Sequence, residues 1–333
     1  MEQSQLGDSH YGGGSSRNGA VITVGASVRF DTLPEDCISM VIYHTSPRVA
    51  CIVALVSKTV KAAAESDLVW EKFLPPEYSS FVPPRSLEFS SKKEMYMSLA
   101  DDPALIEDGK KSFRLEKGSG KKCYMLSAMD LKILWIHFFL YWKWNKDPES
   151  KFEKVAQLRH VCSFEIRGKI SCEMLSKGTH YFVYLVFKRA GSGPDSTDGF
   201  RDMPMEAEVG FVGKESSKTF VLLEPSWCGY RYSSVSLTTV FREARTGRPR
   251  MRFPREEVDG EREIDGSVEE PKNRGDGWSE VKLGKFYIND DDGDDGDEIE
   301  FAIMDNQKGK RHRKSGLIFQ GMEIRPMKEG EED

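Results

Sequence analysis

The stretch Glu298-Ile299-Glu300-Phe301-Ala302-Ile303-Met304 decides the fold of the larger part of the chain. Its apolar residues Ile299, Phe301 and Ile303 fall on one face of an extended chain, and the residues between them fall on the other. Similar short runs, separated by Gly, Asn and Asp, recur at residues 161–166, 181–187, 206–212, 219–223, 278–288 and 317–324. This repetition predicts an all-β sandwich or jelly roll over residues 113–328.

The chain before residue 77 carries helical signals instead. Helix starts are predicted where a capping residue or a proline precedes apolar residues at helix spacing, at Pro34, Ser46-Pro47 and Ser66-Asp67. The pair Pro75-Pro76 ends the segment. Residues 49–56 are apolar on every face of a helix, and such a helix needs neighbours on all sides.

The helical segment, residues 30–76, is too short to build a sufficient core alone, because units of about 45 residues rarely bury enough apolar surface. Its surplus of apolar residues therefore predicts a partner protein that supplies the missing half of the core. The alternative is a small self-contained helical subdomain that packs on the β domain.

Three further segments complete the predicted organisation. Residues 1–29 are small and polar, which predicts a disordered tail. Residues 77–112 are interpreted as a connector with one helix, which is capped by Ser91 with Glu94 three residues later and ends before Pro103. Residues 241–276 are charged and proline-containing, which predicts a mobile insertion.

The composition narrows the class of protein. The 333 residues include 48 basic and 54 acidic ones, a balance that disfavours a nucleic-acid partner. The longest apolar run, Val49 to Val56, has eight residues and is far too short to span a membrane. Gly12-Gly13-Gly14 stands where a signal peptide needs an apolar core. We therefore expect no membrane partner, free cysteine thiols, and a cytoplasmic and nuclear location.

No motif indicates catalysis, a cofactor or a metal. The six cysteines and six histidines lack zinc-type spacing, and the acidic run 290–298 fails the EF-hand pattern. Gly118-Ser119-Gly120-Lys121-Lys122 lacks the first glycine and the final Ser or Thr of a phosphate loop and lies in a hairpin-like stretch. The sequence predicts a non-catalytic protein.

Two ordered sets of residues resemble known families. The first set resembles an F-box in Leu33-Pro34-Glu35-Asp36-Cys37-Ile38, Thr45-Ser46-Pro47, Ala50-Cys51, Val56-Ser57-Lys58 and Ser66-Asp67-Leu68-Val69-Trp70. The second resembles the plant phloem-lectin domain, which is related to the Nictaba-type agglutinins, in Lys122-Cys123-Tyr124-Met125-Leu126-Ser127-Ala128, Val155-Ala156-Gln157-Leu158-Arg159, Ile166-Arg167-Gly168-Lys169-Ile170, Tyr184-Leu185-Val186-Phe187-Lys188, Asp276-Gly277-Trp278, Lys282-Leu283-Gly284 and Lys314-Ser315-Gly316-Leu317-Ile318. The resemblance implies an α+β multidomain protein, with a small helical F-box followed by a jelly-roll-like lectin domain.

The F-box resemblance implies the substrate-recognition subunit of a ubiquitin ligase, in which the F-box binds a Skp-family adaptor and, through it, a cullin. Leu33, Pro34, Ile38, Ile42 and Val56 would present an apolar face to the adaptor. Trp70 would close the end of the helical unit. The target protein is not identified by the sequence.

The lectin resemblance implies a carbohydrate site at Trp135 and Trp142, with Trp144 as a third candidate. A flat indole covers the apolar face of a sugar ring, so N-glycans or N-acetylglucosamine oligomers are the implied ligands. The alternative is that these tryptophans belong to the core or rim of the sandwich. Residues 136–141 are apolar where the lectins carry a polar turn, which favours a protein or apolar ligand. A stand-alone lectin-like stress or defence protein is the alternative function.

Overall fold

The computed structural model describes residues 30–81, 89–191, 197–201, 203–224, 268–290, 296–305, 312–328 and 330. Within these ranges, a 3-10 turn at Phe30–Thr32 precedes six α-helices: α1 Glu35–Tyr43, α2 Pro47–Val53, α3 Lys58–Glu65, α4 Asp67–Phe73, α5 Tyr78–Phe81 and α6 Lys92–Asp101. We call these helices the helical module. The predicted tail, residues 1–29, lies outside the described residues.

Serine side chains start three of the helices. The Oγ atoms of Ser46, Ser57 and Ser91 accept hydrogen bonds from backbone N–H groups three residues later, at 3.4, 3.2 and 3.2 Å. A serine at this position supplies an acceptor that the first helical turn lacks. The starts predicted at Ser46 and Ser91 are therefore confirmed, whereas Pro34 precedes α1 rather than opening it.

The rest of the chain is built from strands. In chain order the described strands are β1 Ala104–Ile106, β2 Lys111–Leu115, β3 Lys122–Ser127, β4 Lys132–Ile133, β5 Trp142–Asn145, β6 Val155–Leu158, β7 Glu165–Ser171, β8 Thr179–Arg189, β9 Met205–Phe211, β10 Ser217–Val221, β11 Val268–Glu269, β12 Lys272–Asn273, β13 Ser279–Ile288, β14 Glu298–Met304 and β15 Leu317–Pro326. A 3-10 turn at Cys172–Met174 follows β7.

The strands form two sheets. One has the order β1-β2-β3-β15-β8-β13-β12, with β6 pairing with β15 and β5 pairing with β6, and the other has the order β11-β10-β9-β14-β7-β4. The pairs are antiparallel except β10 with β11. Apolar side chains from both sheets, including Leu185, Phe301 and Phe319, are fully buried in one core. The predicted α+β organisation, with helices followed by a β sandwich, is confirmed.

Three sequence predictions differ from the structure. The connector predicted at 77–112 with one helix contains two helices, α5 and α6, and the strand β1. The run at 161–166 is not one strand, because β7 begins at Glu165 and Val161 forms only an isolated bridge with Lys314. The insertion predicted for 241–276 ends earlier, since Val268–Glu269 pairs with β10 and Lys272–Asn273 pairs with β13. Most of that insertion, residues 241–267, lies outside the described residues.

An ionic cluster lies on the face of the larger sheet away from the core. The Glu323 carboxylate is 1% exposed and pairs with Arg274, and with Arg114 at 3.2 Å. Glu280 pairs with Arg325 at 2.8 Å. Burial alone would raise the pKa of Glu323, but the arginines outweigh burial and lower that pKa to about 2. The ionised carboxylate therefore contributes to folding stability.

We expect the stability that Glu323 provides to be complete above pH 4.5, the ordinary pKa of a glutamate, and to be lost as the pH falls towards 2. At pH 7, Glu323→Gln should lower the free energy of unfolding by about 3 kcal/mol, because it removes the buried negative charge that Arg274 and Arg114 both contact. Denaturant unfolding across this pH range measures both effects.

Glu300→Gln is the matched control, since the Glu300 side chain is 35% exposed and lies 3.9 Å from Arg167. It should change the free energy of unfolding by less than about 1 kcal/mol. Equal losses for the two variants would show that the buried cluster has no special weight.

Candidate functional sites in the helical module and the aromatic loop

The helix α1 has two apolar faces. Ile38 and Ile42, one turn apart, are buried in the core together with Val60 of α3 and Val69 of α4. The same helix exposes about half of Val41 and Met40 to solvent. A packed core on one face and exposed apolar side chains on the other is the pattern of a helix that binds a partner.

The exposed apolar side chains continue beyond α1. Leu55 is 86% exposed and Val56 is 66% exposed in the turn after α2. We define the exposed apolar set as Met40, Val41, Val49, Ile52, Leu55 and Val56, which lie on α1, α2 and this turn. Single exposed apolar residues are ordinary, whereas six within 17 residues are a local concentration of exposed apolar side chains.

The structure divides the six residues predicted to contact an adaptor. Val56 and Pro34 are exposed and Leu33 is partly buried, so these three are accessible. The other three, Ile38, Ile42 and Trp70, are buried in the protein's own core. They are therefore not accessible in this structure, and their contribution to adaptor binding stays a prediction.

The helix register explains the difference. Residues 38, 41 and 42 are all apolar, so the sequence does not show which of them faces inward. The core takes Ile38 and Ile42 because α1 packs against α3 and α4, and Val41 then points outward. Met40, Val49, Ile52 and Leu55 were missed for the same reason, since a helix that is apolar all round has no visible face.

The loop between β4 and β5, residues 134–141, is the second candidate site, and we call it the aromatic loop. Backbone hydrogen bonds hold it in consecutive tight turns, from Phe138 N–H to Trp135 O at 2.9 Å and from Tyr141 N–H to Phe138 O at 2.9 Å. Trp135 has φ of +64°, a left-handed conformation that is unusual for an aromatic residue. Strained residues of this kind cluster at ligand-binding positions.

The aromatic loop exposes most of its apolar side chains. Phe139 is 75% exposed, and Trp135, Phe138 and Leu140 are each about half exposed. The rings are ordered by mutual contacts, with the Trp135 and Phe138 centroids 5.6 Å apart and those of Phe138 and Tyr141 5.9 Å apart. The loop is thus an exposed apolar surface in which three aromatic rings contact one another.

The structure does not bring the three predicted carbohydrate residues together. Trp142 is 3% exposed, its indole N–H donates to Leu134 O at 3.0 Å, and its ring packs on Phe319. Trp144 is 39% exposed at the edge strand β5, with no ring contact to Trp135 in the part of the chain that is described. Trp135 is therefore the accessible indole of the loop. Trp142 is buried in the sandwich and binds the start of the loop through Leu134 O. Their roles in sugar binding stay predictions.

Polar groups around the aromatic loop are few. The Arg159 guanidinium donates to Phe139 O at 3.3 Å, and the His160 ring lies 5.4 Å from that of Tyr141. A ligand at this loop would therefore meet apolar rings and, beside them, the Arg159 guanidinium and the His137 and His160 rings.

Reactive chemistry has little support among the residues described. There, no three His, Cys, Asp or Glu side chains are grouped to hold a metal ion. Burial raises the pKa of the Cys123 thiol to about 12, so this thiol stays protonated at neutral pH. None of the helices in the described ranges combines the length and the apolar character that crossing a bilayer requires.

Comparison with known proteins identifies the class. The phloem protein 2 family matches residues 121–326. In Arabidopsis thaliana, F-box protein PP2-B1 is 59% identical over 98% of this chain and 99% of its own length. F-box protein PP2-B10 is 46% identical over 90% of this chain and 94% of its own length, and F-box protein SKIP3 is 40% identical over 91% and 90%.

These matches agree with the order of a helical module and a β sandwich along the chain. The chain belongs to the family of plant F-box proteins that carry a phloem protein 2 domain.

Trp142 is buried and Trp135 is half exposed, and this difference predicts unequal effects on stability. Trp142→Ala should lower the free energy of unfolding by about 3–5 kcal/mol, because it removes a buried ring and a buried hydrogen bond. Trp135→Ala should change it by less than about 1 kcal/mol, since its ring is half exposed. Urea unfolding of the two variants checks the order, and a larger loss for Trp135→Ala would contradict the described geometry.

Proposed function

We propose that the protein is the substrate-recognition subunit of a Skp/cullin/F-box ubiquitin ligase. The exposed apolar set of the helical module binds a Skp-family adaptor, and the adaptor connects the chain to a cullin. The observation that carries this proposal is the set of six exposed apolar side chains on helices whose other apolar side chains are buried in the core. The names of the related F-box proteins support the same role.

The chemistry of the exposed set suits a stable protein interface. Such interfaces bury about 800 Å² on each partner, and a few central apolar side chains supply most of the binding energy. Ile52 and Leu55 are strong candidates for such anchors because each exposes more than half of a large aliphatic side chain. Exposed charged residues of α1, α2 and α3 would form the rim, including Glu35, Asp36, Arg48 and Lys58.

In this proposal the β sandwich holds the target protein, and other subunits perform the chemistry. The chain then acts without catalytic residues, because holding the target near the charged conjugating enzyme raises the effective concentration of its lysines. A cytoplasmic and nuclear location is part of the same proposal.

The aromatic loop is the proposed contact to the target. A glycan is one candidate ligand, because the half-exposed Trp135 ring offers a face for stacking on a sugar. N-glycans or N-acetylglucosamine oligomers would be bound in this way. An apolar segment of a protein is the other candidate, because Phe138, Phe139 and Leu140 add more apolar surface than one sugar ring covers.

Adaptor binding tests the central part of the proposal. Val41→Asp combined with Ile52→Asp should weaken binding of a purified Skp-family adaptor at least 100-fold, because it places two charges in the interface. The melting temperature should change little, since both side chains are exposed. Isothermal titration calorimetry and thermal unfolding measure the two effects.

Val212→Asp is the matched control, because Val212 is an exposed valine that follows β9 in the sandwich. It should leave adaptor affinity unchanged. Equal affinity for the control and the double variant would show that the adaptor binds elsewhere, and no binding by the unaltered chain would reject the F-box role.

A glycan array separates the receptor from the alternative function, a stand-alone lectin-like stress or defence protein. The glycan candidate predicts binding of N-acetylglucosamine oligomers that Trp135→Ala lowers at least tenfold and that Leu105→Ala, at an exposed residue of β1, leaves unchanged. Absence of binding to every glycan would remove the lectin function and leave adaptor binding as the remaining activity.

A further inference from the structure

The β2–β3 hairpin ends in a tip, residues 116–121, that is ordered by its own hydrogen bonds. Gly120 N–H donates to Glu116 O at 2.8 Å, and the Glu116 carboxylate accepts from Ser119 N–H at 2.7 Å and from Gly118 N–H at 3.0 Å. These bonds lie within the tip itself and close the turn.

The hairpin tip bonds to two helices of the helical module. The backbone N–H of Arg48, in the first turn of α2, donates to Gly118 O at 3.1 Å. This N–H has no acceptor within its own helix, because the first turn of any helix leaves such groups unpaired. The Tyr96 hydroxyl of α6 donates to two carbonyl oxygens of the tip. It lies 3.1 Å from Glu116 O and 3.2 Å from Lys117 O.

The tip also makes a close steric contact. Gly120 has φ of +72°, and a Cβ atom built there would lie 3.5 Å from Pro47 Cγ, Phe73 O and Tyr96 Oη. These three atoms belong to α2, α4 and α6. A Cβ at these distances would make ordinary van der Waals contacts, so it is the positive φ that favours glycine here.

Tyr96 continues the connection into the centre of the helical module. Its ring is fully buried and lies 5.2 Å from the ring of Trp70, which in turn donates its indole N–H to Ala64 O at 2.7 Å. Burial raises the pKa of Tyr96 above its ordinary value, so the hydroxyl keeps its proton and remains a donor. The ion pair of Lys117 with Asp101, at 2.8 Å, lies beside it.

The chain itself joins the two parts only through the residues between α6 and β1, Asp102 and Pro103. Besides this connection, α6 packs on β2, Lys122 of β3 pairs with Glu77, and apolar side chains of both parts share one core. The hairpin tip adds fixed points on α2, α4 and α6, and α2 carries part of the exposed apolar set.

We propose that the hairpin tip is a positioning element that fixes the β sandwich relative to the adaptor-binding helices. Through it, the fold would determine which lysines of a bound target the ligase can reach. This inference rests on the proposed function for its biological meaning, but the fixed angle is a property of the chain alone.

Tyr96→Phe tests the inference, because it keeps the buried ring and removes the hydrogen bonds to the tip. Spin labels on Lys61→Cys of α3 and on the native exposed Cys162 report the distance between the two parts by double electron–electron resonance. The full chain is used, with Cys37, Cys51 and Cys228 replaced by alanine. Tyr96→Phe should broaden the distance distribution at least twofold, with the melting temperature within a few degrees of the parent.

Tyr287→Phe is the matched control, because it removes a phenol hydroxyl from a partly exposed tyrosine of β13. It should leave the distance distribution unchanged. Gly120→Val is a second variant, which places bulk where the three helical atoms approach and should also broaden the distribution. Distributions as narrow as the parent's for both Tyr96→Phe and Gly120→Val would overturn the proposal.

The same experiment on the chain bound to a purified Skp-family adaptor separates the two proposals. A broadened distribution in the variants with unchanged adaptor affinity supports the positioning role. An unaltered chain that fails to bind the adaptor rejects the proposed function, while the distances in the free chain still decide the inference.

Discussion

The packing of Tyr96 between Trp70 and the hairpin tip is the interaction on which the arrangement of this protein depends. Trp70 lies in the centre of the helical module, and the tip is continuous with the larger sheet of the sandwich. The Tyr96 side chain connects the two parts, together with the Arg48 N–H bond to Gly118 O and the packing of α6 on β2. Since its ring is covered by apolar neighbours and its hydroxyl meets two carbonyl groups, loss of either contact weakens the joint. The exposed apolar set lies on the helical side of this contact, and the aromatic loop lies on the sandwich side.

The sequence predicted the β sandwich because alternation of apolar residues is a local property. Ile299, Phe301 and Ile303 are fully buried, as their spacing indicates. The short strand β4 and the paired segments at Val268 and Lys272 were not predicted, since two residues carry no period. The connector helix was predicted from its serine cap, but its docking depends on contacts such as Lys92 N–H to Asp67 at 2.9 Å, which join residues far apart in sequence.

The candidate sites were predicted less well than the fold, and the reason is physical. Residue type shows that Ile38 and Trp142 are apolar, but only tertiary packing decides whether an apolar side chain is buried or offered to a partner. Both are buried, whereas Leu55 and Phe139 are the most exposed large apolar side chains among the residues described. The sequence showed that the helical segment has a surplus of apolar residues. It did not show which of these side chains face outward. Part of the cover for the helical module comes from α6 and the hairpin tip of the same chain.

The central claim is that the exposed apolar set, and not the sandwich, receives the Skp-family adaptor. Hydrogen–deuterium exchange of the full chain with and without the purified adaptor tests it most directly, because binding slows exchange of the backbone it covers. The account predicts slower exchange in peptides that contain residues 37–41 and 49–56, with the aromatic loop unchanged. Unchanged exchange at both of these segments in a chain that binds the adaptor, with slowing in the sandwich instead, would contradict it.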